Sequence, residues 1–196
     1  ASRGLYDRVI MQSAPVMGVH SPAQSKAWAR KLVQYAGMVP RTTTAKELRG
    51  LPVADLVRAG QQMLWRGGGL KELNPCFGIA IGGKLIPRHP LEQFRDGQQA
   101  ATPMLIGTNN DELSAAQLLY FSKSARADAA RRMLRAHDPE GFEAIEAAYG
   151  DLGKRSNFAN LLADAVFWAQ SIRLAELHSA SGLDVWMYRY DYAPAV

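Results

Sequence analysis

Residues 102–112 read Thr-Pro-Met-Leu-Ile-Gly-Thr-Asn-Asn-Asp-Glu. Met104, Leu105 and Ile106 form a short apolar run between Pro103 and Gly107, the pattern of a strand covered on both faces. Arg8–Gln12 (Arg-Val-Ile-Met-Gln) repeats that pattern near the start of the chain. A third run, Val185–Tyr190 (Val-Trp-Met-Tyr-Arg-Tyr), alternates more and suits a strand nearer a sheet edge. Helical patterns fill the intervals. Pro22 to Ala36 opens after Ser21, an N-cap residue type, and closes at Gly37. Val53 to Leu64 follows Pro52. Ala125 to Ala136 and Glu140 to Tyr149 are split by Asp138-Pro139, and Asn157 to Ala180 ends at Gly182. Strands joined by long helical connections imply parallel pairing in an α/β sheet. Phe77–Ile81 and Lys84–Pro87 flank Gly82-Gly83 and predict a hairpin.

Composition narrows the functional classes. With 196 residues, 47% of them hydrophobic, the chain builds a real core, which excludes disordered and collagen-like proteins. The one cysteine, Cys76, excludes an intrachain disulfide framework and a cysteine-based zinc site. The four histidines lack metal-binding i,i+4 spacing, so no metal site is expected. No stretch approaches the roughly 18 apolar residues of a membrane span. The net charge of +5 permits an acidic partner. Its densest cluster is Arg126, Arg131, Arg132 and Arg135, diluted by Asp128 and Asp138 and free of interleaved aromatics. That reads as a solvated helix face rather than a phosphate-binding stripe, and no nucleic-acid partner is expected. Gly67-Gly68-Gly69 lacks the strand-to-helix context of a phosphate cradle and reads as a loop.

The chemistry-bearing stretch follows the strand at Gly107. Ligand sites in parallel α/β sheets lie beyond the carboxyl ends of strands, and Asp111 and Glu112 lie there. A second reading is a polar turn into a helix at Leu113, its two acids complementing the helix dipole. Ser13, just after the first strand, reads on its own as a turn residue or helix cap.

Four segments carry a family resemblance: Ser-Arg-Gly-Leu-Tyr-Asp-Arg-Val-Ile-Met-Gln over 2–12 followed by Ser13, Leu-Ile-Pro-Arg-His-Pro-Leu-Glu-Gln-Phe-Arg-Asp-Gly over 85–97, Pro-Met-Leu-Ile-Gly-Thr-Asn-Asn-Asp-Glu over 103–112, and Ile-Arg-Leu-Ala-Glu-Leu-His-Ser-Ala-Ser-Gly-Leu-Asp-Val-Trp-Met-Tyr-Arg-Tyr-Asp-Tyr-Ala-Pro over 172–194. Together, in this order, they resemble the type-B carboxylesterase family of α/β-hydrolases, and most of all its bacterial p-nitrobenzyl-type members, since the eukaryotic secreted members carry disulfides. The resemblance implies that residues 1–196 are the central to C-terminal part of one α/β-hydrolase domain, a mostly parallel sheet flanked by helices, truncated at both ends. It implies a nucleophilic serine in a Gly-Glu-Ser-Ala-Gly elbow about a dozen residues before the counterpart of Ala1, and a histidine shortly after the counterpart of Tyr190. No Gly-x-Ser-x-Gly occurs in these residues.

By match to the family's Gly-x-Asn-x-Asp-Glu pattern, Glu112 is the triad acid that holds the histidine. Ser13 is its supporting hydrogen-bond partner. The chain has Leu113 and Ala14 where the family has glycine. The resemblance further implies that the residues just after the acid, among them Leu113, Ala115 and Ala116, help line the substrate pocket, and the small side chains there suggest a roomy one. The implied activity is carboxylic-ester hydrolysis of a small-molecule substrate without a cofactor, with this segment inactive alone. An alternative on the same fold is a non-catalytic interaction or adhesion domain. A truncated sheet is expected to associate through exposed edges. The compartment, cytoplasmic or secreted, is not encoded here. His20, His89, His137 and His178 precede the third strand's end, where the family places its base, and read as structural.

Overall fold

The computed structural model describes residues 4–16, 18–66, 76–113 and 122–192. The elements run β1 (Val9–Gln12), β2 (Val19–His20), α1 (Pro22–Tyr35), α2 (Ala45–Arg49), α3 (Val53–Arg66), β3 (Ile79–Ala80), α4 (Pro90–Arg95) and β4 (Met104–Asn109). Then come α5 (Lys123–His137), α6 (Phe142–Tyr149), α7 (Arg155–Ala163), a π-helical segment (Asp164–Trp168), α8 (Ala169–Ala180) and β5 (Val185–Tyr190). Internal contacts divide the chain into two units, Ala1–Met17 with Leu85–Val196, and Gly18–Lys84.

The first unit is built on a parallel sheet of order β1-β4-β5. Strand β4 is central, hydrogen-bonded on both sides, and buried from Met104 through Thr108 apart from half-buried Leu105. Met104, Ile106 and Leu174 of α8 form a core against which Val9, Met11, Leu91, Phe94 and Val185 pack. Strand β1 departs from the expectation of burial on both faces. It alternates, with Ile10 64% exposed, because only its Val9 and Met11 side chains turn to that core. Strand β5 takes the outer place that its alternation predicts. Helices α5, α6 and α7 pack on one another, burying Leu134, Leu152, Phe158, Leu161 and Leu162.

The predicted long helix 157–180 is interrupted. At Asp164–Trp168 the backbone widens to a π turn, with the Ala169 N–H donating to the carbonyl of Asp164. Gln170 Nε2 donates to the Ala165 carbonyl at 2.7 Å, satisfying an acceptor that a widened turn leaves open.

The arginine cluster is a solvated face only in part: Arg132 and Arg135 are exposed, Arg131 is half-buried and Arg126 is not solvated at all. Arg126 is buried and its Nε donates to the Gly153 carbonyl at 2.7 Å. Arg131 forks onto Glu146 at 2.6 and 2.8 Å, and Arg135 lies 4.8 Å over the Phe142 ring. These arginines tie α5 to α6 and to the 151–154 turn, partners that only the tertiary fold supplies.

In the second unit α1 packs on α3 around Trp28, Met63 and Cys76. Burial pushes the Cys76 thiol above its ordinary value. Ser21 and Gln24 form a reciprocal capping box that starts α1 at the residue predicted, and Gly37, at φ +75°, follows its end. The predicted hairpin does not form. Ile79–Ala80 pairs in parallel with Val19–His20, and Gly82-Gly83 lie in a bend without a ladder between 77–81 and 84–87. The apolar run finds its partner sixty residues away rather than across the glycines.

Leu174 is wholly buried under the central strand. Leu174→Ala is expected to cost about 3 kcal/mol in urea unfolding, and Leu174→Met under about 1.5 kcal/mol.

Candidate functional site

The parallel register brings the carboxyl ends of β1, β4 and β5 to one edge, with Gln12, Gly107 and Tyr188 in one row. Gly107 has no side chain to occupy the row. A Cβ there would stand 2.3 Å from the Tyr188 ring, so that ring lies over the bare backbone. From the other side Gln12 Nε2 donates to the Tyr188 hydroxyl oxygen at 3.2 Å. A glycine inside a strand often signals such close approach, and here it was the available clue.

Just beyond this row the chain turns. The Ser13 N–H donates to the Gly107 carbonyl at 2.9 Å, extending the ladder by one residue. Ser13 then adopts φ +49°, the left-handed region that side-chain-bearing residues rarely visit. That turn points its hydroxyl at the loop after β4, where Ser13 Oγ donates to Glu112 Oε1. The Asn109 N–H donates to the same oxygen at 2.6 Å, closing the loop on itself across three residues. Asn109 Nδ2 reaches Ser13 Oγ at 3.5 Å, the long limit for such a bond. The Asn110 N–H is held by the Tyr190 carbonyl at 3.0 Å, which anchors the start of the loop to β5.

The two acids are therefore in different environments. Glu112 is half-buried with two donors on Oε1; Asp111 is exposed. Among the described residues nothing engages Glu112 Oε2. Residues 110–113 form a turn, and Leu113 is half-buried next to the acid. Ala115 and Ala116, and the helix predicted from Leu113 onward, fall outside the described residues. Asn109, whose short contact to the acid is made by its main-chain N–H, belongs to this cluster and was missed by reading side-chain types.

Behind the loop is a small cavity of about 30 Å³ whose lining includes Thr108, Asn110, Asp164, Trp168 and Arg189. Tyr149 donates its hydroxyl to Asp164 Oδ2, and burial together with that carboxylate pushes the phenol well above its usual value. Arg189 is forked onto Asp191 at 2.8 and 3.2 Å, which raises its already high value, and stands 5.6 Å over the Trp168 ring.

The histidines have local structural places. His178 is buried in α8 with Nε2 2.9 Å from the Thr102 carbonyl. His89 caps α4, its Nδ1 accepting from the Leu91 N–H at 3.2 Å. His20 is buried in β2, and His137 ends α5, where a cation suits the helix dipole.

A parallel sheet that presents an organised carboxylate at its carboxyl edge is an arrangement that α/β-hydrolases share with other parallel α/β folds. The comparisons name the group within that class. The carboxylesterase family profile matches residues 1–196, and the chain belongs to that family. The para-nitrobenzyl esterase of Bacillus subtilis is 24% identical over 200 residues, covering 99% of this chain and 38% of that protein. The crystal structure of the Geobacillus stearothermophilus carboxylesterase EST55 at pH 6.2 superposes with a TM-score of 0.73 at 27% identity, over 98% of this chain and 40% of that one. Its structure at pH 6.8 gives 0.62 at 23% identity, over 98% and 39%, a likeness of fold. The chain thus spans about two fifths of the length of the relatives it matches. The α/β-hydrolase fold expected from the sequence is the fold observed.

Gly107→Ala forces the Tyr188 ring aside and is expected to destabilise the protein by about 1–3 kcal/mol. Tyr188→Ala in the same chain should recover much of that loss, and a double-mutant cycle by denaturant unfolding measures the coupling. Additive effects of the two changes would show that the ring is not what excludes a side chain at 107.

Proposed function

We propose that the protein containing these residues is a serine carboxylic-ester hydrolase, with Glu112 as the acid of a Ser-His-Glu triad. The observation that carries this is the treatment of the Glu112 carboxylate. Two donors fix Oε1 at the carboxyl edge of the central strand, while Oε2 is left unengaged among the described residues. In this reading Oε2 accepts the Nδ1–H of the triad histidine. That holds the ring in the tautomer whose Nε2 takes the proton from the attacking serine, and it stabilises the imidazolium that results. The serine attacks the ester carbonyl, backbone N–H groups hold the oxyanion, and the histidine returns its proton to the leaving alcohol. No cofactor enters this chemistry.

Ser13 is the positioning residue for the acid. Its hydroxyl takes a fixed direction because its backbone is held in the left-handed region by the bond to Gly107. Leu113, Ala115 and Ala116, following the acid directly, line the substrate pocket in this reading. Small side chains at 115 and 116 leave room for a bulky acyl or alcohol group. The substrate is a small-molecule ester. The segment supplies the acid alone, since the nucleophile elbow motif is absent from it.

In the full-length protein Glu112→Gln is expected to lower kcat for a p-nitrophenyl ester by roughly 10³- to 10⁴-fold with KM little changed. Asp111→Asn should stay within about threefold of wild type, because its carboxylate is exposed and away from the paired oxygen. Ser13→Ala should cost roughly tenfold in kcat, consistent with one lost charge-assisted hydrogen bond. Full activity in Glu112→Gln would sink the assignment. Residues 1–196 alone should release no p-nitrophenol.

A further inference from the structure

The charge of this chain is concentrated in one place. Residues 18–50 hold Lys26, Arg30, Lys31, Arg41, Lys46 and Arg49 against a single acid, Glu47. That local excess equals the net +5 of the whole chain, so the remaining residues are balanced. Glu47 does little to neutralise its neighbours. It is folded back into the capping box of α2, accepting from the Thr44 N–H at 2.6 Å and from Thr44 Oγ1 at 2.8 Å.

Lys26, Arg30 and Arg41 line one groove between α1 and α2, with Val33, Pro40 and Leu48 among its apolar residues. Its volume is about 640 Å³, within the range of small-molecule sites. Lys26 and Arg30 stand one helical turn apart on α1, so they share a face, and Arg41 approaches from the segment that leads into α2. Among the described residues none of the three forms an ion pair. Three like charges gathered round an apolar floor repel one another, and an anion placed between them relieves that repulsion. Among the described residues no aromatic side chain lines the groove, so none offers the stacking platform a single-stranded nucleic acid would use.

We propose that this groove is a binding site for an organic carboxylate with an apolar chain. The head group is held by Arg30 and Arg41 with Lys26 beside them, and the chain lies along Val33, Pro40 and Leu48. The site is formed by residues 26–48 alone and is independent of the ester-hydrolysis reading. Its test is binding rather than turnover, so the two readings fail separately.

The experiment is a titration of the full chain with octanoate, below its micelle concentration and at low ionic strength, followed by calorimetry and by amide chemical shifts. Saturable binding is expected, with shifts confined to α1, α2 and the residues joining them. Octan-1-ol, which has the same chain without the charge, should bind at least tenfold more weakly. Arg30→Gln/Arg41→Gln should lose at least tenfold in affinity for octanoate with an unchanged melting temperature, since both side chains are exposed. Ala45→Asp, which sets a carboxylate on the groove wall, should have a similar effect. Octan-1-ol binding as tightly as octanoate, or a double variant that binds octanoate undiminished, would overturn the proposal. So would a short DNA duplex shifting these amides where octanoate does not, which would make the patch a polyanion surface.

Discussion

Strand β4 is hydrogen-bonded to a parallel neighbour along both edges, and the other elements of its unit follow from that constraint. A strand so enclosed has its backbone groups satisfied and its two faces available only for burial. Met104 and Ile106 fill one side with Leu174, and Gly107 omits a side chain where Tyr188 crosses. The carboxyl end of β4 is therefore a fixed point. A carboxylate three residues beyond it inherits that fixity, which an acid on a free loop would have to obtain from its own contacts.

The Glu112 loop combines a local and a distant restraint. The Asn109 N–H closes a three-residue span and needs little chain entropy to do so. Ser13 arrives from ninety-nine residues away and reaches the same oxygen only because β1 and β4 run in register. Such a contact is secured by the whole sheet. The direction of this carboxylate is therefore set by the fold itself, by one main-chain donor and one side-chain donor on the same oxygen.

Much of the scaffold was legible from local pattern. The runs read at 8–12, 102–107 and 185–190 became strands at Val9–Gln12, Met104–Asn109 and Val185–Tyr190, and Ser21 announced the start of α1. What escaped depends on partners that the sequence does not place nearby. Ile79–Ala80 looked like half of a hairpin, yet pairs with Val19–His20. Arg126 looked solvated, yet is buried on the Gly153 carbonyl. In the candidate site, Glu112 and Ser13 were singled out by sequence, and the structure brings their side chains together in a hydrogen bond. Asn109 acts through its N–H, and main-chain donors leave no signature in side-chain identity. The bridge over Gly107 joins residues from three strands and becomes visible only once their register is known.

The π turn at Asp164–Trp168 has a consequence for how this chain can change. A π turn holds one residue more than the α turn it replaces, so the extra residue is absorbed within a single turn. Removing one residue there would restore a regular helix and leave α8 in phase, with Leu174 and His178 still turned inward. The same deletion in the regular turns on either side would rotate everything after it by about 100° and carry Leu174 away from β4. Among the described residues the π turn is therefore the one stretch of this long helix whose length can shrink by a residue while its inner face is kept.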